Sequence, residues 1–147
     1  MLSNGLLAFL LSAVSLCLWT DLEAVYKMFE AGDYGAALRE LVPLAEAGVA
    51  EAQDNLGWMY RSEIGVPQDY NKAISWFCKA ANQGDAAAQY NIGLMYEKGF
   101  GVEQDYAEAA SWYRRAAEQG QANAQFNLAE MYLDGYGVPQ DYAQGYA

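Results

Sequence analysis

The chain has 147 residues, with 8 lysines and arginines against 19 aspartates and glutamates, and therefore a formal net charge of −11. Its length allows one domain or a short array of repeats, and its 54% of hydrophobic residues excludes a disordered acidic tail. The acidic balance argues against nucleic acid as a partner, and the absence of histidine excludes an imidazole base or a histidine-ligated metal.

Residues 1–20 are predicted to be a signal peptide or hydrophobic leader. No charged residue occurs from Leu6 to Leu18, and a helix of this length, at about 1.5 Å per residue, is too short for the roughly 30 Å hydrocarbon core. A secretory signal whose small residues allow cleavage after Ser15 or after Cys17 therefore fits better than a membrane span. An uncleaved membrane anchor, a lipoprotein attached at Cys17 and a hydrophobic helix of a cytosolic protein stay open as alternatives.

Residues 21–49 are predicted to form a divergent N-terminal helical pair. The residue type found 36 positions later is already present at Tyr34, Ala37, Ala45 and Gly48, among others. The segment from Asp33 to Gly48 therefore looks like the second half of an earlier repeat.

From residue 50 onward the sequence repeats every 36 residues, in copies at 50–85, 86–121 and, cut short, 122–147. The first two copies are identical at 19 of 36 aligned positions, where about two would be expected by chance from an average composition. We expect the chain to be a fragment, or another chain to cover its end, because the third copy leaves an apolar stripe exposed. This stripe consists of Leu128, Met131 and Tyr132.

The first helix of each copy is predicted at residues equivalent to 51–61. Its apolar stripe, with helical spacing, consists of Ala52, Leu56, Met59 and Tyr60. Glycine stands in the middle of this helix at Gly57 and Gly93, where it costs about 1 kcal/mol relative to alanine. We therefore expect the paired helix to approach closely at these glycines.

The second helix is expected to begin after Asp69 and its counterpart Asp105, whose carboxylates can cap free backbone N–H groups. Asp105 and Glu108 have the spacing of a reciprocal capping box. Gly84 and Gly120 are expected to end the helix, because glycine adopts the left-handed conformation at the least cost. Stacking of such pairs predicts an all-α, right-handed array of antiparallel helix pairs.

Three consecutive motifs carry a resemblance to a known family. They read A-x-A-Q-x-N-L-G-x-M-Y, G-x-G-V-x-Q-D-Y-x-x-A and W-[FY]-x-x-A-A-x-Q-G. The chain resembles Sel-1-like repeat (SLR) proteins, relatives of the tetratricopeptide repeat, closely over 50–147 and loosely over 26–49. The resemblance implies an α-solenoid that acts as a non-enzymatic adaptor for other proteins. Many bacterial members are exported, so it also implies a periplasmic location, or a membrane anchor facing the periplasm.

One residue departs from the family pattern. Glu63 stands where the later copies have Gly99 and Gly135. If those glycines adopt positive φ, the first loop must be strained or differently shaped.

By resemblance to tetratricopeptide repeats, the first helices are expected to line a concave groove. Positions there that differ between copies are free to contact a partner, whereas residues repeated in every copy serve the fold. The candidate protein-binding residues are therefore Asp54, Tyr90, Phe126, Trp58, Leu94, Glu130, Arg61 and Glu97. Aromatic and arginine side chains in a groove are typical binding hot spots. The alternative is that these side chains pack between adjacent repeats.

Other residues are expected to serve the fold. Amides recur in every copy at Gln53, Gln89, Gln125, Asn55, Asn91 and Asn127. We expect them to be buried and to satisfy the backbone of the Gly-rich loop, rather than to form a polar ladder for a ligand. Trp76 and Trp112 are expected to pack between repeats, and the pair Arg114–Arg115 to interact with Glu118.

We predict no catalytic residue, no cofactor and no metal site. Cysteine-rich relatives of the family have been linked to β-lactam binding and hydrolysis, but they carry paired cysteines, whereas Cys78 aligns with Arg114. No Ser-Lys motif or nucleophile elbow is present. The prediction is a scaffold that binds a protein or peptide. An exported β-lactam-interacting enzyme and a membrane-tethered structural module are the alternatives.

Overall fold

The computed structural model describes residues 22–147, which consist of helices joined by loops, with no strand in this range. The helices are α1 at 22–30, α2 at Tyr34–Glu46, α3 at Ala50–Ser62, α4 at Tyr70–Asn82, α5 at Ala86–Lys98, α6 at Tyr106–Glu118, α7 at Ala122–Asp134 and α8 at Tyr142–Gly145. From α2 onward each helix packs against the next, and α3 also touches α5. Such contact between neighbours confirms the predicted all-α solenoid. The predicted leader lies outside the described residues.

Three clusters of buried apolar side chains follow one another along the solenoid. The first cluster is built from α1, α2 and α3, the second from α4 and α5, and the third from α6 and α7. Trp58 and Tyr60 pack against both the first and the second cluster. Trp76 on α4 packs against the first cluster and Trp112 on α6 against the second, as predicted for packing between repeats. Each copy therefore depends on its neighbour for burial.

The predicted close approach of paired helices at mid-helix glycines is confirmed. A β-carbon at Gly57 would lie 2.7 Å from the ring of Phe77, and one at Gly93 would lie 2.6 Å from the ring of Tyr113. Both rings are fully buried. Each ring lies directly on the backbone of the first helix, and the resulting burial and dispersion offset the glycine penalty of about 1 kcal/mol.

Aspartates cap the second helices as predicted. The Oδ1 atom of Asp69 accepts a hydrogen bond from the N–H of Lys72 at 2.9 Å, and that of Asp105 from the N–H of Glu108 at 3.0 Å. The predicted capping box is wrong, because the N–H of Asp105 donates to the carbonyl of Tyr96 at 3.0 Å and is not free for Glu108. This bond ties the start of α6 to α5 across the intervening loop.

The loops 63–69, 99–105 and 135–141 each begin with a left-handed residue. The φ angle is 58° at Glu63, 70° at Gly99 and 74° at Gly135. Glu63 is the one non-glycine residue with positive φ between residues 22 and 147. The first loop therefore begins in the same conformation as the others and is strained there, because its β-carbon crowds the backbone.

Glutamines outside the predicted set hold these loops. The Nε2 atom of Gln68 donates to the carbonyl of Arg61 at 2.9 Å, and the equivalent glutamines of the next two copies do the same at 2.7 Å. The prediction that Gln53 and its equivalents satisfy the Gly-rich loop is therefore wrong. Gln53 donates to the carbonyl of Ala45 at 3.0 Å and accepts from Gln83 at 2.9 Å, so it joins its copy to the preceding helix.

The apolar stripe of the third copy is better covered than predicted. Met131 is buried and Leu128 is half-buried in the third cluster, since α6 packs against α7. Arg114 on α6 donates to the hydroxyl of Tyr132 on α7 at 2.9 Å. The predicted interaction of the arginine pair with Glu118 is wrong, because Arg114 bonds across to α7 and the other arginine lies over the Trp112 ring, at 4.6 Å from its centroid.

Replacing Glu63 by glycine is expected to raise the free energy of unfolding by about 0.5–1 kcal/mol. The left-handed conformation costs a non-glycine residue about 1–2 kcal/mol, and the greater entropy of glycine in the unfolded chain opposes this gain by about 0.5–1 kcal/mol. Urea unfolding followed by circular dichroism measures the difference. Glu63→Ala is the control, since it removes the same charge but keeps the β-carbon. An equal gain in both variants would show that charge, and not φ, is responsible.

Candidate functional site

Two surface pockets, named the first and the second hollow, lie along the first helices of the copies. The first hollow has a volume of about 340 Å³ and is lined by Tyr26, Phe29, Asp54, Asn55, Trp58 and Asn91. The second hollow has a volume of about 420 Å³ and is lined by Leu94, Glu97, Lys98, Tyr106, Asn127, Glu130, Met131, Asp134 and Tyr136. Both volumes lie within the range of about 300–1,000 Å³ that is usual for ligand pockets.

Five of the eight candidate residues line these hollows. Asp54 and Trp58 belong to the first hollow, and Leu94, Glu97 and Glu130 belong to the second. The structure therefore separates the candidates into two groups, with α5 contributing to both hollows.

The other three candidates line neither hollow. Tyr90 is half-buried, with its ring centroid 5.6 Å from that of Tyr113, and Arg61 is half-buried with its guanidinium 6.0 Å from the centroid of Phe77. In these contacts each side chain packs against the second helix of its own copy, and not between adjacent repeats as in the alternative for the candidate set. Phe126 is different, because 63% of its surface is exposed.

Hydrogen bonds join α3 to α5 at the first hollow. The Nδ2 atom of Asn91 donates to Oδ1 of Asp54 at 2.8 Å, and Nη1 of Arg61 donates to Oδ1 of Asn91 at 2.7 Å. Burial raises the pKa of Asp54 to about 6, although the hydrogen bond from Asn91 and the charge of Arg61 oppose the rise. The asparagine therefore bonds to the preceding copy, and not to the Gly-rich loop as predicted.

Two aromatic residues of the first hollow, Tyr26 and Phe29, come from α1 and were not among the predicted site residues. The Tyr26 hydroxyl donates to the carboxylate of Glu51 and accepts from Nδ2 of Asn55 at 3.3 Å. Burial, and then the bond to Glu51, raise the pKa of Tyr26.

These aromatic residues do not align with the later copies at the 36-residue offset, because the loop that follows them is shorter. The loop between α1 and α2 has three residues, 31–33, whereas those after α3, α5 and α7 have seven. The 36-residue offset, which holds from Asp33 onward, therefore fails before the loop. Tyr26 and Phe29 could have been found by aligning the residues before Tyr34 with the first helices of the later copies while allowing a shorter loop.

The second hollow is rich in carboxylates. Glu97 accepts hydrogen bonds from the hydroxyl of Tyr113 at 2.6 Å and from the ammonium group of Lys98 at 2.5 Å. Burial, and then the bond to Glu97, raise the pKa of Tyr113. Glu130 and Asp134 are exposed. Three carboxylates against one ammonium group make the lining of this hollow negatively charged.

Trp58 serves both the first hollow and the core. Its ring lies edge-on to Phe29, with centroids 5.9 Å apart, and it packs against the first and second clusters. Replacing Trp58 would therefore disturb the junction of two copies as well as the hollow. A change at this position by itself does not separate binding from stability.

The side chains that line the two hollows are suited to non-covalent binding of a partner. Among residues 22–147, no three or more metal-ligating side chains come together in a way that could hold a metal ion. Cys78 is half-buried against the second cluster, and burial raises the pKa of its thiol, which lowers the fraction of reactive thiolate. The linings of the hollows contain aromatic rings and carboxylates, which can contact a partner.

Comparison with known proteins finds one family. The family model described as Sel1 repeat matches residues 50–85, 86–121 and 122–147. No curated protein matches the chain.

Two solved structures illustrate the likeness. The Sel1 repeat protein from Oxalobacter formigenes is 34% identical, with a TM-score of 0.77 over 83% of this chain and 50% of that one. The second is c5321, a protective antigen present in uropathogenic Escherichia coli strains and displaying an SLR fold. It is 39% identical, with a TM-score of 0.81 over 87% of this chain and 28% of that one. The chain thus spans half or less of the length of these proteins.

Replacing Asp54 by asparagine is expected to stabilise the protein at pH 7 by about 1–3 kcal/mol and to have little effect at pH 4. A pKa of about 6 in the folded protein, against 3.8 as the ordinary value, means that the folded state binds this proton more tightly than the unfolded chain. That contribution to stability is complete below about pH 4 and is lost as the pH rises through about 6, at about 1.4 kcal/mol per pKa unit.

Urea unfolding of both proteins between pH 4 and pH 7 measures this dependence. The asparagine keeps an oxygen that can accept the hydrogen bond from Asn91. Asp134→Asn, at an exposed position, is the control for the loss of one surface charge. A gain from Asp54→Asn that is the same at pH 4 and pH 7 would contradict the expectation, because it would not depend on ionisation.

Proposed function

Since the chain belongs to the Sel1 repeat family, whose members are in general scaffolds for protein interactions, we propose that it is a non-enzymatic scaffold. It holds a protein or peptide partner in the groove along α3, α5 and α7. The observation that carries this proposal is the pair of hollows on one row of helices, whose linings include residues that differ between copies, such as Trp58, Leu94 and Glu130.

The difference between copies supports a binding role for this row. Equivalent positions hold Trp58, Leu94 and Glu130, so one slot is aromatic, aliphatic and acidic in turn. Residues that build the repeat, such as the aspartates that cap the second helices, do not vary in this way. A side chain that is not needed for the common geometry can be specialised for a partner, and the two hollows lie where such side chains are found.

Exposed aromatic surface on the same row supports protein binding. Phe126 lies on α7 with 63% of its surface exposed. Burying such a ring against a partner removes apolar surface from water, and aromatic side chains are frequent among the residues that dominate binding energy. Phe126 serves as an anchor for the partner in this proposal because it is an aromatic residue at a position of the groove helices that varies between copies.

A scaffold accounts for the perturbed groups better than an enzyme does. The raised pKa of Asp54 is explained by burial within a hydrogen-bonded contact between α3 and α5. Cys78 has Arg114 as its counterpart in the next copy and packs against apolar side chains, which differs from the paired cysteines of the β-lactam-linked relatives. We therefore propose no reaction at either hollow.

Phe126→Ala is expected to weaken partner binding at least tenfold while leaving the melting temperature within about 2 °C of the unmodified protein. Loss of an aromatic hot spot costs binding at least about 1.4 kcal/mol, whereas an exposed ring contributes little to folding. Affinity capture from an extract of the source organism identifies the partner, and titration of the purified partner measures Kd.

Tyr146→Ala is the matched control, since Tyr146 is aromatic and 80% exposed but lies outside the groove. Trp58→Ala is expected to lower both partner affinity and melting temperature, because Trp58 also joins two clusters. A partner whose Kd is unchanged by Phe126→Ala and by Trp58→Ala would contradict the groove as the binding site.

We propose further that the protein is exported to the periplasm. The support is the uncharged apolar stretch from Leu6 to Leu18, with small residues suitable for signal cleavage. Within residues 22–147, none of the helices has the length and apolar character needed to cross a membrane. A retained leader that anchors the repeats at the periplasmic side of the membrane is the alternative.

Expression of the full chain in a Gram-negative bacterium is expected to yield a periplasmic protein that begins at Leu16 or Leu18. Cell fractionation gives the location, and N-terminal sequencing gives the first residue. A chain that lacks residues 1–20 is the control and is expected to stay in the cytoplasm. A protein that still begins at Met1 and stays in the cytoplasm would contradict export.

A further inference from the structure

The groove has a chemical character that narrows the partner class. Resting on the proposed scaffold function, we infer that the groove binds a cationic peptide segment of another protein, with an arginine or lysine side chain entering each hollow. Three observations support this inference. They are the net negative charge of the groove helices, the aromatic rings that line the first hollow, and the contacts that already engage the two cations of the groove helices.

The groove helices and the helices behind them have opposite charge. The helices α3, α5 and α7 together carry five acidic and two basic residues. The helices α4 and α6, which alternate with them, carry two acidic and four basic residues. The row that bears the hollows therefore has a net charge of −3, against +2 on the helices behind it, and such a row attracts cations and repels acidic segments.

The two cations of the groove helices are already engaged. Arg61 donates to Asn91 at 2.7 Å and lies over the ring of Phe77, whereas Lys98 bonds to Glu97 at 2.5 Å. The carboxylates of Glu130 and Asp134 are exposed at the second hollow. An incoming ammonium or guanidinium group would therefore meet more negative charge there than Lys98 neutralises.

The first hollow suits the same kind of side chain. It combines the carboxylate of Asp54 with the rings of Tyr26, Phe29 and Trp58. Aromatic rings attract cations, and a guanidinium group can bond to a carboxylate through two N–H groups while its stem packs on apolar surface. Burial opposes the ionised form of Asp54, so a cation bound beside it would offset that cost.

The chain shows this chemistry elsewhere on its own surface. The ammonium group of Lys79 lies 3.9 Å from the ring centroid of Trp76, and the guanidinium carbon of Arg115 lies 4.6 Å from that of Trp112. Both pairs belong to α4 and α6, where basic residues are in excess. In the first hollow, aromatic rings stand beside a carboxylate, and a cation from a partner would complete the same arrangement.

Selection from a random peptide library displayed on phage, against the full purified chain in about 150 mM salt, tests the inference. At this ionic strength charges beyond about 8 Å are largely screened, so short-range contacts are favoured. We expect the selected peptides to be enriched at least threefold in arginine and lysine over the unselected library. Peptides without such enrichment would leave groove binding intact and overturn the cationic partner. Failure to select any peptide would overturn the proposed peptide-binding groove as well.

Two double variants separate the groove from general attraction to an acidic protein. Glu130→Gln with Asp134→Asn removes two charges from the second hollow, and Glu108→Gln with Glu118→Gln removes two exposed charges from α6. Titration of one selected peptide is expected to show a Kd at least tenfold weaker for the first variant and less than twofold weaker for the second. Equal effects of the two variants would overturn the inference. All four positions are exposed, and circular dichroism verifies that both variants are folded.

Discussion

Contact between an aromatic ring and a helix backbone, made at Gly57 and Gly93, determines how the two helices of a copy pack. The rings of Phe77 and Tyr113 are fully buried against these glycines. Helices held so closely still expose apolar surface at their outer faces, and side chains such as Tyr60 cover it by packing against two successive clusters. The same contact in successive copies gives the same spacing, and a row of helix pairs is the result.

This constraint divides the side chains of a copy into two kinds. Some maintain the common geometry, such as Asp69 at the start of a second helix and Gln68 in the loop before it, and these recur in every copy. Others lie on the first helices and are not needed for that geometry, so they vary, as Phe126 and its counterparts do. The functional surface of the protein is therefore expected where repetition is weakest.

The asparagines of the first helices belong to both kinds. Asn55 and Asn91 occupy equivalent positions, but Asn55 bonds to the hydroxyl of Tyr26 whereas Asn91 bonds to Asp54 and Arg61. An amide carries both donors and an acceptor, so one residue type can satisfy different neighbours in different copies. A recurring residue thus takes part in a variable site, which repetition in the sequence does not reveal.

The sequence by itself determined the period, the helices and their caps, because these follow from spacing along one chain segment. Asp69 precedes the apolar stripe of a second helix and Gly84 follows it. These two residue types mark the ends of the helix whatever the position of the copy in the solenoid. Only the tertiary structure decided which polar and aromatic groups meet. Spacing alone could not show that the N–H of Asp105 bonds to Tyr96, nor that the ring of Phe29, which precedes a loop that breaks the repeat offset, lies against Trp58. Such contacts join segments far apart in the chain, and their geometry exists only once neighbouring helices have packed.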